Sequence, residues 1–283
     1  MNTTLVPLVT GEMSIDQEAT LYTGDKKHNW KYWGGNRKES WLPTWQGQAS
    51  KWGPYPSAEA HVYSAVSSWT VYHVHDTTNT APMRRDSSAR DFRELNPDAG
   101  NIAAFLLKMR EEHAARYQRI RETVQLIAPF FDDFLLEPQK KGENELVRLE
   151  WKQKGSSFPM QPWQFSDGTI RFICLATALL QPKPPSTVVI DEPELGLHPF
   201  AIETLAALLH EVAAGDQTQL LVSTQSPGLL DHFDAEHLIV VDREDGASVF
   251  RRLDGGALEQ WLQDYSLGEL VRKDIIESGP RHA

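Results

Sequence analysis

The stretch Ser186-Thr187-Val188-Val189-Ile190-Asp191-Glu192-Pro193-Glu194-Leu195-Gly196-Leu197-His198-Pro199 decides how the rest of the chain is read. Four β-formers, Thr187 to Ile190, run without alternation into two adjacent carboxylates, as in a strand buried on both faces of a parallel sheet. Pro193 cannot continue a central strand, so the strand ends at the acidic pair. Asp191 and Glu192 therefore stand at the carboxyl end of a strand, where open α/β sheets bind their ligands. This is the form of a Walker B element. Asp191 is the candidate ligand of Mg²⁺, and Glu192 the candidate base or orienting group for a water that attacks a γ-phosphate. An acidic turn after an ordinary core strand is the plain alternative.

Downstream, a helix is expected from about Phe200 to Ala214, with Ile202, Leu205, Leu208, Leu209 and Val212 inward. Gln219 to Val222 is a second apolar strand, ending in the polar turn Ser223-Thr224-Gln225-Ser226-Pro227. A short helix starts near Leu229, and Leu238 to Val241 reads as a third strand. Alternating strands and helices indicate a parallel sheet. Leu258 to Asp264 reads as a terminal helix.

Upstream, Ser166 is a suitable N-cap for a strongly apolar helix containing Ile170, Phe172, Ile173, Leu175, Leu179 and Leu180. Ser166, Asp167 and Gly168 offer a hydroxyl, a glycine and free helix-terminal amides, a combination suited to an anion such as phosphate. Such caps are common, so position matters more than composition: this one lies one helix and one loop ahead of Asp191. Cys174, inside that helix, reads as core.

Asn96-Pro97-Asp98 reads as the start of one long amphipathic helix, straight or kinked, reaching about residue 128. Glu145 to Trp151 reads as a strand and Lys152 to Pro162 as a loop. Trp69 to His75 reads as a strand with His73 and His75 on one face. With no further ligand nearby, these histidines suit a hydrogen-bonded structural pair or a nucleotide-proximal loop better than a metal site. Residues 1–68 are irregular or β-rich. Trp30, Trp33, Trp41, Trp45 and Trp52 are interleaved there with Gly, Pro, Lys and Ser, and packing under an irregular segment explains them better than a stacking platform.

Composition sets outer bounds. Hydrophobic residues make up 40% and charged residues 24%, as in soluble globular proteins. No apolar run reaches membrane-spanning length, and Met1 to Leu5 shows no secretory pattern, so a cytoplasmic protein is expected. A single cysteine excludes an intrachain disulfide and a cysteine-rich zinc site. The net charge of −11 does not argue for nucleic acid. Its cations fall in scattered pairs such as Lys26-Lys27, Arg84-Arg85 and Arg251-Arg252, each of which reads as solvated surface.

The motifs form a set. Ser166-Asp167-Gly168-Thr169 resembles the signature loop of ABC-type ATPases of the SMC, RecF and OLD kind, Val188 to Glu192 the Walker B element, Gly196 to Pro199 the D-loop, and Ser223 to Pro227 the switch loop. Their order resembles that of the predicted bacterial AAA-family ATPases with an ABC-type head, over about Trp69 to Pro280. The resemblance implies an α/β, P-loop NTPase-like head with a largely parallel sheet flanked by helices. That head would span 69–283, with its helical segment at about 98–128 and its signature-to-switch block at 163–231. It further implies ATP and Mg²⁺ as ligands and a homodimer that closes around nucleotide. In it Asp191 holds the metal, Glu192 acts on water, Gln225 senses γ-phosphate, and Ser166, Asp167 and Gly168 contact the other copy's phosphates. DNA or an effector protein as a further partner is not indicated by charge, and no membrane contact is implied.

Two features depart from the pattern. Position 225 is Gln where many relatives have His, so it can hydrogen-bond but not become cationic. Second, no Gly-Lys dipeptide occurs in the sequence, so there is no Walker A motif, and the chain reads as such an ATPase with its N-terminal part incomplete. A non-hydrolysing interaction protein is therefore the alternative. A metal-dependent phosphoesterase would need a carboxylate or histidine cluster that the sequence does not supply.

Overall fold

The computed structural model describes residues 8–10, 14–16, 68–215, 217–244, 247–253, 255–273 and 275–276. The chain divides into two compact units, 1–69 and 70–283. In the first, β1 (Leu8–Thr10) and β2 (Ser14–Asp16) pair antiparallel with Val9 opposite Ile15. The tryptophan-rich segment expected there lies outside the described residues.

The second unit carries the remaining elements. After β3 (Trp69–Tyr72) and a loop come β4 (Ser87–Ser88), α1 (Ile102–Glu112) and α2 (Ala114–Ile127). The strands β5 (Phe131–Leu135), β6 (Gln139–Lys141), β7 (Asn144–Val147), β8 (Glu150–Gln153) and β9 (Pro159–Met160) follow. Then come α3 (Asp167–Leu180), β10 (Thr187–Asp191), α4 (Pro199–Ala214), β11 (Gln219–Ser223) and α5 (Pro227–Leu230). The last elements are β12 (Ile239–Glu244), β13 (Ala247–Arg252), α6 (Gly255–Leu262) and α7 (Leu267–Arg272).

The expected α/β architecture is present. β10 lies at the centre of the order β11-β10-β3 and runs parallel to β11, with Val189 opposite Leu221 and Asp191 opposite Ser223. Val188 and Ile190 are buried, whereas Val189 is only half-buried and Leu221 is 53% exposed. The burial of β10 is thus complete on the Val188 and Ile190 face and partial on the other, where Thr187 is buried and Val189 half-buried. Helix α3 is the centre of the core. Every residue from Ile170 to Leu180 is buried, as expected for a helix apolar all round. Ser166 caps it through the Thr169 amide, at 3.1 Å, and Pro182 prevents its continuation past Gln181. Helices α2 and α4 both pack against it.

Three expectations are corrected. The long helix of 98–128 starts at Ile102 and is interrupted at His113, whose non-helical backbone, with φ of −134° and ψ of 49°, separates α1 from α2. The strand expected at Glu145 to Trp151 is two strands in different antiparallel sheets, β4-β7-β6 and β5-β8-β9. The third strand, β12, does not join the parallel pair; it forms a separate antiparallel hairpin with β13. A short connection from β12 permits that local pairing, whereas a parallel addition needs a crossover of a dozen or more residues.

Two packing features prepare the site. Trp151 and Phe165 stack with ring centres 4.5 Å apart, and the Trp151 indole donates to the Gln161 carbonyl at 3.2 Å. This aromatic contact anchors the approach to Ser166. A second apolar cluster, built on Ala235, Val240, Leu267, Leu270 and Ile276, lies beyond α5. Gly268 joins it to α5: its amide donates to Asp231 Oδ1 at 2.8 Å, and a Cβ there would stand 2.2 Å from the Pro227 carbonyl oxygen. Among the described residues, no helix is long and apolar enough to cross a membrane.

Gly268→Ala should therefore displace α7 from α5 and lower stability by about 1–3 kcal/mol in urea titration, the usual cost of overpacking. Burial pushes the Cys174 thiol up to about 12. The native thiol should be inert to alkylating reagents at pH 8 and react only on unfolding. The stabilisation from keeping it neutral is complete below the ordinary thiol pKa and is lost as pH rises above it.

Candidate functional site

The carboxyl end of β10 gathers polar groups from three segments. Asp191 is exposed, and the Ser223 hydroxyl, one strand over, donates to its Oδ1. On the other side His75 Nε2 lies 3.5 Å from Asp191 Oδ2. β3 ends at Tyr72, so His75 belongs to the loop that follows it rather than to the strand. Of the two readings of the histidines, placement beside the strand end fits His75; His73 instead donates its amide to the Pro97 carbonyl at 2.8 Å.

Glu192 adopts a left-handed backbone with φ of 40°. Side chains other than glycine rarely occupy that region, and residues held there cluster at functional sites. Two backbone bonds fix the conformation: the Glu192 amide donates to the Ser223 carbonyl at 2.9 Å, and the Leu195 amide to the Glu192 carbonyl at 3.2 Å. Gly196, with φ of 77°, completes the turn before His198 caps α4. Within that turn Glu194 is buried and accepts a hydrogen bond from the Thr224 hydroxyl. Gln225 is exposed in the facing loop.

The Ser166 loop reaches this turn from below. Ser166 bonds within its own turn, to the Thr169 amide and hydroxyl. Asp167, largely exposed, pairs with Arg84 at 2.9 Å. Gly168 is buried, and a Cβ there would stand 2.3 Å from the Gly196 carbonyl oxygen. Its lack of a side chain is thus required by contact with the 191–198 turn of its own chain. Asp191, Glu192 and Gln225 come together through the pairing of β10 with β11; Ser166, Asp167 and Gly168 come to the same turn through α3.

Two arginines that the sequence reading passed over hold these pieces in place. Arg84 was expected at the surface with Arg85 but is only 4% exposed. It donates to the carbonyls of Thr77, Pro162 and Phe165 as well as to Asp167, tying the loop after β3 to the Ser166 loop. Arg171, on α3, is equally buried. It donates to the Val74 carbonyl at 3.1 Å, to the His75 carbonyl at 2.9 Å and to the Leu195 carbonyl. Burial pulls its pKa below the ordinary guanidinium value. The available signal was a lone cation inside the apolar run Ile170-Arg171-Phe172; for Arg84 there was none.

A hard divalent cation suits the oxygens at the strand end. Mg²⁺ is commonly held by one or two carboxylates, with water and substrate phosphates completing its shell. Asp191, exposed and oriented by a neighbouring hydroxyl, fits that role. Among the described residues no group of three or more His, Cys, Asp or Glu side chains is gathered for a metal. A cation here would draw its remaining ligands from water and phosphate.

The chain is a member of the family described as AAA domain, putative AbiEii toxin, Type IV TA system, whose model matches residues 56–231. It is 41% identical over 97 residues to the OLD nuclease of Thermus scotoductus, a match covering 32% of this chain and only 18% of that protein. Among solved structures, it is similar to an SMC ATPase from work on ATP-driven dimerization and DNA-stimulated activation. The TM-score is 0.41 at 21% identity, over 56% of this chain and 94% of that one. It is also similar to an SMC head bound to the C-winged helix domain of ScpA, with a TM-score of 0.47 at 16% identity, over 74% of this chain and 64% of that one.

Arg171→Met should lower stability by about 2–4 kcal/mol in chemical denaturation, because three carbonyls, that of Val74 buried, lose a charged donor at once. Arg171→Lys should recover little of this, since an ammonium lacks the planar fork that reaches both loops.

Proposed function

We propose that residues 69–283 act as an ABC-type ATPase head that binds and hydrolyses ATP with Mg²⁺ and closes as a homodimer around nucleotide. The observation that carries this reading is the strand end itself: Asp191, Glu192 and the 223–227 loop are locked together by Ser223, and Glu192 is held in an unfavourable backbone conformation. Bound Mg²⁺ neutralises phosphate charge. Asp191 holds it, oriented by the Ser223 hydroxyl. Glu192 positions the attacking water and takes its proton. Gln225, exposed beside them, donates its side-chain amide to the γ-phosphate. Ser166 and Asp167, exposed at the start of α3, face the nucleotide of the other copy, and Gly168 supports them by letting the loop lie on the 191–198 turn.

The second reading, a non-hydrolysing interaction protein, is favoured by one observation: the sequence has no Gly-Lys dipeptide. In P-loop proteins much of the grip on triphosphate comes from consecutive backbone amides and one lysine. We therefore expect the chain alone to bind MgATP weakly and to turn it over slowly.

Calorimetry and single-turnover assays at high protein concentration separate the two readings. On the ATPase reading, Glu192→Gln lowers the residual hydrolysis by about 10²–10⁴ and leaves nucleotide binding in place, the usual worth of a positioned base. Asp191→Asn abolishes the Mg²⁺ dependence of binding. Equal turnover in the parent and Glu192→Gln removes the catalytic assignment and leaves the interaction protein.

A further inference from the structure

The geometry points to Glu194 as the positioning residue of the loop that carries Gln225, acting through the hydroxyl of Thr224. Its consequence for hydrolysis rests on the function proposed above, whereas the link belongs to the folded chain with or without nucleotide.

Glu194 is 8% exposed, an unusual place for a carboxylate with no cationic partner among the described residues. One oxygen, Oε1, accepts from the Thr224 hydroxyl. The other, Oε2, is buried and has no hydrogen-bond partner among the described residues. A leucine would fill the space without that penalty, since an unmet buried acceptor costs about 1–3 kcal/mol. Packing therefore does not account for a carboxylate here; the bond to Thr224 does.

Thr224 uses its hydroxyl in both directions. It donates to Glu194 and accepts from the Ser226 amide at 2.9 Å. The preceding residue is fixed as well: the Ser223 hydroxyl donates to Asp191, and its carbonyl accepts from the Glu192 amide. Residues 223, 224 and 226 are thus each joined, directly or through Thr224, to the turn at 191–194. Gln225 projects from the middle of this clamp into solvent. The clamp sets Gln225 relative to Glu192, and Glu194 is its deepest anchor. Valine matches threonine in shape but can neither donate to Glu194 nor accept from Ser226; serine can do both.

Amide hydrogen exchange of the full chain, without nucleotide, tests the link. Thr224→Val should speed exchange at Ser226, whose amide donates to the Thr224 hydroxyl, about tenfold relative to the parent while leaving the α3 amides unchanged, as local opening does. Thr224→Ser should restore the parent rates to within about twofold. Glu194→Ala should act like Thr224→Val; should it fail to fold, the valine variant, which keeps Glu194 and the side-chain volume, decides alone. An equal Ser226 rate in the parent and Thr224→Val would overturn the proposal, as would a Thr224→Ser variant as loose as the valine one. A loosened loop in a protein whose residual hydrolysis ignores Glu192→Gln would sustain the link and remove only the ATPase reading.

Discussion

Backbone lies on backbone where Gly168 meets Gly196, and the arrangement of the site depends on that contact. No side chain separates the start of α3 from the turn after β10, so the two approach more closely than any Cβ would permit. The closeness brings Arg171 within reach of the Leu195 carbonyl and of the loop after β3. A longer separation would take the Leu195 carbonyl out of reach and leave a buried guanidinium short of an acceptor, which is more costly than a lost surface contact. Geometry and electrostatics therefore constrain one another: the glycines permit the approach, and the arginine makes retreat unfavourable.

The acidic character of the 191–194 turn has a second effect. Asp191, Glu192 and Glu194 stand within four residues in a chain of net charge −11. The turn spreads them apart: Asp191 faces His75 and Ser223, Glu192 is turned by its left-handed backbone, and Glu194 points inward to Thr224. Like charges on one short turn can coexist when each has its own hydrogen-bond donors and its own direction. The three carboxylates are thus not interchangeable, although the sequence writes them almost side by side.

Much of this was legible in the sequence, and what was not has physical causes. The run Thr187 to Ile190, the Ser166 cap and the Pro193 stop are local signals, and the elements they mark are present. The break at His113 was not placed because both halves keep helical spacing across it. β12 was read as a sheet member because apolar runs do not reveal their partners. The residues singled out at strand and helix ends do stand at those ends, because cap and turn chemistry is written where the elements stop. Arg84 was not, since a pair of arginines in a loop looks the same whether it faces solvent or three carbonyls from distant segments. The exchange behaviour expected of Thr224 belongs with this second kind: its partners lie thirty residues away on a neighbouring strand end.

The left-handed backbone at Glu192 bears on how this chain changes over generations. On stability alone glycine or asparagine is the favoured occupant of such a position, by about 1 kcal/mol. Random substitution therefore drifts downhill away from glutamate unless something other than folding opposes it. A lineage that had lost its use for a carboxylate here would gain stability by shedding it. The occupant of this position in a related chain is therefore a sign of whether a carboxylate is in use there.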